Sequence, residues 1–202
     1  MSVVVGLTGG IASGKTFISN YLKSKKISIH ESDEIVAKLY KNPSKGFLIF
    51  LKKEGFEKSL SSKKIDKKII RDEIFSNKIK KKKLENYIHK EVRKSRENFI
   101  KKNINKKIVF LDIPLLFEKK LEGICSYVCS VLAPIKIRKS RALKRHGMKE
   151  SIFEKIIKTQ ITDIKRKQKS DYLIKTTKTK KETCLQVDNI IYDILKKQKL
   201  QK

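Results

Sequence analysis

Val3, Val4 and Val5 form an apolar run that leads into Gly6-Leu7-Thr8-Gly9-Gly10-Ile11-Ala12-Ser13-Gly14-Lys15-Thr16, after which Ile18, Tyr21 and Leu22 recur at helical spacing. A buried strand, a glycine-rich turn and an amphipathic helix are predicted in that order. Ile27 to His30 predicts a short second strand ending in Glu31-Ser32-Asp33, and Ile35, Val36, Leu39 and Tyr40 outline a helix that Asn42-Pro43-Ser44 breaks. Short helices are predicted over Phe47 to Phe56 and Ile65 to Phe75, then a long one from about Asn77 to Lys101 with Leu84, Tyr87, Ile88, Val92 and Phe99 on one face.

Ile108-Val109-Phe110-Leu111-Asp112 has four apolar residues closed by an acid, the form of a buried parallel strand. Pro114 stops its pairing, and Tyr127 to Leu132 predicts a fourth strand. Pro134 suits the first position of a helix running to Gly147, and Ile152, Phe153, Ile156 and Ile157 pattern another that closes near Gln160. Asp171 to Ile174 predicts the last strand. Glu182 to Lys197 predicts the last helix, with Leu185, Ile190, Ile191, Ile194 and Leu195 facing inward.

Strands alternating with helices predict an α/β fold: a parallel sheet in three layers, over residues 1–202 as a single domain. The core is expected at about 1–41, 105–133 and 166–202. A helical insert at about 42–104 would serve the substrate side, and helices at about 134–165 would form a lid.

Gly9 to Thr16 fits G-x-x-x-x-G-K-S/T, in which a strand delivers a glycine-permitted turn whose N–H groups converge on phosphate oxygens at a helix N-terminus. A nucleotide phosphate is the expected ligand. Gly9, Gly10, Ile11, Ala12, Ser13 and Gly14 would form the cradle, Lys15 would meet the β and γ phosphates, and Thr16 would offer a hydroxyl to Mg²⁺. Phe17 would contribute only its N–H. Acids at the carboxyl ends of parallel strands face ligands bound there, which makes Glu31, Asp33 and Asp112 candidates, Asp112 as a Mg²⁺ contact through water. Asp33 could equally cap the helix that follows it.

Composition changes this picture little. The net charge is +30, but the lysines are spread through nearly every segment, which argues against a designed nucleic-acid footprint and for background charge. Only seven of the 51 basic residues are arginine, and Arg138, Arg141 and Arg145 fall within eight positions. Where lysine is the default, retained arginines suggest planar, multidentate phosphate contact, and Arg141 and Arg145 would share a helix face. Cys125, Cys129 and Cys184 lack metal-ligand spacing and are expected to be buried thiols. No membrane span or leader peptide is predicted, so a soluble cytoplasmic protein acting on small-molecule substrates is expected.

With these residues in place the sequence resembles the dephospho-CoA kinase family. Leu7 to Thr16 resembles its L-T-G-G-I-x-S-G-K-S/T, Glu31-Ser32-Asp33 its D-A-D, and Asp112 to Glu118 its D-V/I-P-L-L-F-E. Arg141, Arg145 and Gln160 resemble its lid, and Ser170 to Ile174 its last strand. The chain departs from the family at Glu31, at Lys90 after His89, and at Lys175-Thr176. The resemblance implies a P-loop kinase fold and transfer of the γ-phosphoryl of ATP to the ribose 3′-hydroxyl of dephospho-CoA. It implies Lys15, Asp33 and Arg141 as catalytic residues, with Arg145 on the ATP side. Asp33, His89, Asp112, Leu115, Leu116 and Phe117 would contact the acceptor, and Thr16 and Asp112 the metal. A monomer without specific nucleic-acid or membrane partners is expected. Rival readings are another P-loop kinase, for a nucleoside or sugar, and a basic nucleic-acid-binding ATPase.

Overall fold

The computed structural model describes residues 2–61 and 65–200. Five strands form one sheet: β1 (Val3–Gly9), β2 (Ser28–Glu31), β3 (Ile108–Asp112), β4 (Tyr127–Leu132) and β5 (Tyr172–Lys175). The helices are α1 (Lys15–Ser24), α2 (Ser32–Lys41), α3 (Lys45–Lys53), α4 (Lys67–Ser76), α5 (Lys78–Lys102), α6 (Ile135–Leu143), α7 (Glu150–Thr159), α8 (Asp163–Gln168) and α9 (Lys180–Leu200). The strand order is β2-β3-β1-β4-β5, and β1 pairs in parallel with both β3 and β4, as β4 does with β5. This is the α/β parallel architecture that the alternating pattern predicts.

Central parallel strands are covered on both faces and so need side chains that are apolar throughout. Val4 to Gly9 of β1 and all of β3 are buried accordingly. Register then matters for chemistry, because Leu7 pairs with Asp112 and Gly9 with Val131. The turn after β1 and the acid ending β3 therefore leave the sheet at the same edge.

The chain divides into two compact units, Met1–His30 with Ile100–Lys202, and Glu31–Phe99. In the first, Ile18 and Leu22 of α1 and Val187 and Ile194 of α9 pack with Val5, Leu7, Phe110, Val131 and Ile174. Each such burial contributes about 1.5–3 kcal/mol. Leu185, expected to face inward, is exposed; α9 instead turns Val187 to the core, with Ile190, Ile191 and Leu195 partly buried beside it.

The second unit has its own core of Phe47, Leu51, Phe56, Ile65, Ile70 and Leu84. Phe50 stacks on Tyr87 with ring centroids 4.4 Å apart, and Tyr40 meets Phe47 edge-on at 5.5 Å. Helices α3, α4 and α5 start where side chains satisfy the first free amides. Ser44 Oγ accepts from the Phe47 N–H at 3.2 Å, and Asp66 accepts from the Lys68 N–H at 2.8 Å. Asn77 accepts from Ile79 and Lys80, which separates α4 from α5.

Two elements differ from expectation. Helix α6 stops at Leu143, and Gly147, with φ 75°, lies in the turn beyond it. Helix α8 was not expected; it is short, largely polar and started by Thr162, whose Oγ1 accepts from the Lys165 N–H. Cys129 is buried, whereas Cys125 and Cys184 are partly exposed. No helix among the described residues is long and apolar enough to cross a membrane.

Candidate active site

The turn after β1 is built for an anion. Ala12 (φ 57°) and Gly14 (φ 102°) both take left-handed conformations, the kind of backbone that turns successive amides toward one concavity. Glycine is the natural occupant of such angles; Ala12 is strained there and needs its surroundings to hold it. Gly14 is also the N-cap of α1, which has no side-chain cap and no acid in its first turn. The helix terminus therefore keeps its partial positive charge for a ligand. The Ser13 hydroxyl is buried with no partner among the described residues, a polar group the loop itself leaves unmet.

Close packing explains the other glycines. A Cβ on Gly9 would lie 2.6 Å from Ser13 Oγ and 2.8 Å from the Val131 carbonyl, and one on Gly10 would collide with the Arg138 guanidinium. On the far side of the loop a Cβ on Gly14 would press Thr176 at 3.0 Å. Phe17 was expected to offer its N–H to phosphate, but that N–H donates to the Gly14 carbonyl at 3.1 Å because the first turn is tightened, and its ring packs against the main core.

Lys15 and Asp112, expected in separate roles, are joined as an ion pair in which the Lys15 ammonium donates to Oδ1. Ser19, one helical turn on, donates to Oδ2 at 2.6 Å. Asp112 is buried, so both oxygens are satisfied where an unpaired carboxylate would be costly. Thr16 is exposed at the start of α1. Thr16 and Asp112 supply oxygen donors only, and Mg²⁺ takes few protein ligands once phosphates and water complete its shell, so this donor set fits Mg²⁺ held together with a nucleotide. Among the described residues no three His, Cys, Asp or Glu side chains cluster as a self-contained metal site.

The three arginines have separate fates. Arg141 donates through Nη2 to the Thr176 carbonyl at 2.6 Å and through Nη1 to Thr176 Oγ1 at 2.9 Å, with the Ser13 carbonyl 3.5 Å away. Thr176 Oγ1 in turn donates to the Ser13 carbonyl at 2.6 Å. Arg138, grouped by sequence with the other two as a retained arginine, is buried over Gly10 and paired with Asp163 at 2.9 Å. Arg145 does not share a helix face with Arg141, because α6 has ended before it; it is exposed in the following turn.

Gln160, at the end of α7, accepts from the Ile11 N–H at 3.0 Å, and the next residue, Ile161, donates its N–H to Glu118 at 2.9 Å. Arg166 of α8 is fully buried against Glu118, at 3.4 Å. Burial pulls the Arg166 guanidinium below its ordinary pKa, opposed by the charges of Glu118 and Asp163. Sequence spacing could not pair these residues, which lie more than forty positions apart. The only signal was that each is a charged or amide side chain next to a recognisable landmark.

In the loop after β3, Leu115 is partly exposed whereas Leu116 and Phe117 are buried. Leu116 lies under β1, where a Cβ on Gly6 would meet it at 2.7 Å. In the Glu31–Phe99 unit, Glu31 is the N-cap residue of α2 without a side-chain cap bond, and Asp33 is exposed in its first turn, so Asp33 does not cap the helix. His89 is exposed on α5.

The chain matches the family model described as Dephospho-CoA kinase over residues 3–182. It is 35% identical over 195 residues to the dephospho-CoA kinase of Bartonella quintana (strain Toulouse), covering 96% of this chain and 98% of that protein. Among solved structures, TT1252 from Thermus thermophilus superposes with a TM-score of 0.81 at 24% identity, over 95% of this chain and 97% of the other. The dephospho-CoA kinase from Campylobacter jejuni superposes with a TM-score of 0.72 at 26% identity, over 98% and 100%.

Proposed function

The chain belongs to the dephospho-CoA kinase family, and from that membership we propose how its own residues carry out the reaction. The enzyme transfers the γ-phosphoryl group of ATP to the ribose 3′-hydroxyl of dephospho-CoA, giving CoA and ADP, the last step of coenzyme A synthesis. The observation that carries this reading is the family match running through the phosphate loop, the insert and the lid together. A match confined to the phosphate loop would fit a P-loop kinase of any substrate.

Such transfer depends on positioning and charge neutralisation more than on covalent chemistry. Gly9 to Thr16 cradles the phosphates, with Lys15 leaving Asp112 to meet the β and γ oxygens. Arg141 offers a charge already oriented by Thr176 and Ser13, and Arg145 adds an exposed one from the turn after α6. Thr16, with Asp112 acting through water, would hold Mg²⁺, which when bound neutralises charge between the β and γ phosphates. Asp33 orients the acceptor hydroxyl and takes its proton. His89 and the exposed Leu115 contact the acceptor, while Leu116 and Phe117 support that loop from within. The enzyme works as a cytoplasmic monomer on small molecules, without a specific nucleic-acid or membrane partner.

ADP release from ATP and Mg²⁺, with and without dephospho-CoA, tests the assignment. Release that depends on dephospho-CoA, with product mass raised by one phosphate, is the expected result. Release that depends on a nucleoside or sugar and not on dephospho-CoA would overturn it.

A further inference from the structure

Beside the Arg141 contact with the Ser13 carbonyl and the apolar packing of Ala12 against Ala142 and Phe153, polar contacts of Gln160, Ile161 and Arg166 join the lid to the phosphate loop and the loop after β3, and these are unequal. The Arg166 Nη2 contacts with Glu118 and with the Ile161 carbonyl are long, at 3.4 and 3.5 Å. Arg166 Nε and Nη1, Arg138 Nε and Glu118 Oε2 are buried without partners among the described residues. The two bonds of ordinary length, Ile11 N–H to Gln160 at 3.0 Å and Ile161 N–H to Glu118 at 2.9 Å, are the better-defined contacts. They sit on adjacent residues and reach loops that follow two neighbouring strands, β1 and β3.

Ile11 precedes Ala12, whose left-handed backbone persists only if its surroundings impose it. The Ile11 N–H lies in the Gly10–Ile11 peptide, one residue before the peptide that enters Ala12, so holding it fixes the start of the turn from which the amides beyond are aimed. We propose that Gln160 is a positioning residue for phosphoryl transfer: its side-chain carbonyl holds the Ile11 N–H and so sets the phosphate loop and the lid in one register. The inference rests on the kinase reading above, since the register matters only if a phosphoryl group is aimed from that loop. It assigns Gln160 no contact with the reacting atoms.

The test uses the full-length enzyme with ATP, Mg²⁺ and dephospho-CoA. Gln160→Met keeps the reach and removes the acceptor; Gln160→Glu restores an acceptor oxygen but places an anion near the phosphates. Gln160 is half-exposed, so both variants should fold. Gln160→Met should lower kcat about tenfold to a hundredfold, as a small misplacement of reacting groups does, with an unchanged melting temperature. Gln160→Glu should recover most of kcat while raising the KM for ATP. Unchanged kcat in Gln160→Met overturns the proposal, as does a lower KM for ATP with kcat intact, which would make Gln160 a competitor for a phosphate position. Equal loss of kcat in both variants, or loss that tracks melting temperature, also overturns it. Wild-type enzyme in the same assay separates the two readings. If it shows no turnover that depends on dephospho-CoA, the reaction assignment fails; normal wild-type turnover with an unaffected Gln160→Met fails this inference alone.

Discussion

Lys15 and Ser19, one turn apart on α1, share the two oxygens of Asp112 at the end of β3. The ammonium expected to serve ATP is thus held at the sheet edge before any ligand arrives, and the carboxylate beneath it is buried and balanced.

Removing that ammonium should be felt twice. Lys15→Ala should reduce kcat about a hundredfold to a thousandfold, the usual cost of one preorganised charge or donor at a transition state. It should also lower the melting temperature, because Asp112 keeps a buried charge with one partner fewer. In the double variant Lys15→Ala/Asp112→Asn, much of the melting loss should return while turnover stays low. Thermal melts beside the ADP assay would show this, and near-normal turnover in Lys15→Ala would remove the cradle from catalysis.

Asp33 makes no cap, so changing it should leave α2 intact. Asp33→Asn should preserve ATP affinity and the melting temperature yet lower kcat about a hundredfold or more, the scale of general acid–base assistance. An unchanged kcat would return Asp33 to the ordinary surface.

Gly10 faces Arg138 and Gln160 so closely that a methyl group cannot enter unless they move. Gly10→Ala should weaken ATP binding at least tenfold, measurable by calorimetry, with a smaller effect on the melt. A bulkier lid contact that left ATP affinity intact would show that the loop tolerates displacement.

Cys129 is fully buried on β4, and burial, with a contribution from the nearby Asp171 charge, pushes its thiol well above the ordinary range. At about pH 8 an ordinary thiol is partly ionised and reactive. Iodoacetamide should therefore modify Cys129 in the native enzyme far more slowly than Cys125 or Cys184, and at a comparable rate once the chain is unfolded. Mass mapping of the labelled sites gives the answer; native labelling of Cys129 as fast as the others would show that β4 opens readily.

Strands β3 and β4 were legible to the residue because each is a largely apolar run, broken only by Ser130 in β4 and closed by Asp112 in β3, and their near-complete burial leaves no competing pattern. The phosphate loop was legible because its glycines follow from local backbone geometry. What failed was whatever depends on where a helix ends or on a distant partner. Arg145 was placed on a face with Arg141 by extending α6 to Gly147, whereas the helix closes four residues earlier. Leu185 has the right spacing for the α9 core face, but Val187 occupies it. Gln160 and Glu118 stood out only as parts of a resemblance, since nothing local says that one meets Ile11 and the other Ile161.

Among the described residues Arg96, Arg138 and Arg166 are buried, and no lysine is. A lysine must lose a tightly bound hydration shell to go inside, whereas a guanidinium is weakly hydrated and spreads its charge over a flat plate. In a chain this rich in lysine, arginine thus acts as a tracer of dry positive charge. Replacing such a residue by lysine would draw water into the fold, so the surface can drift toward a single cation while the interior keeps its own vocabulary.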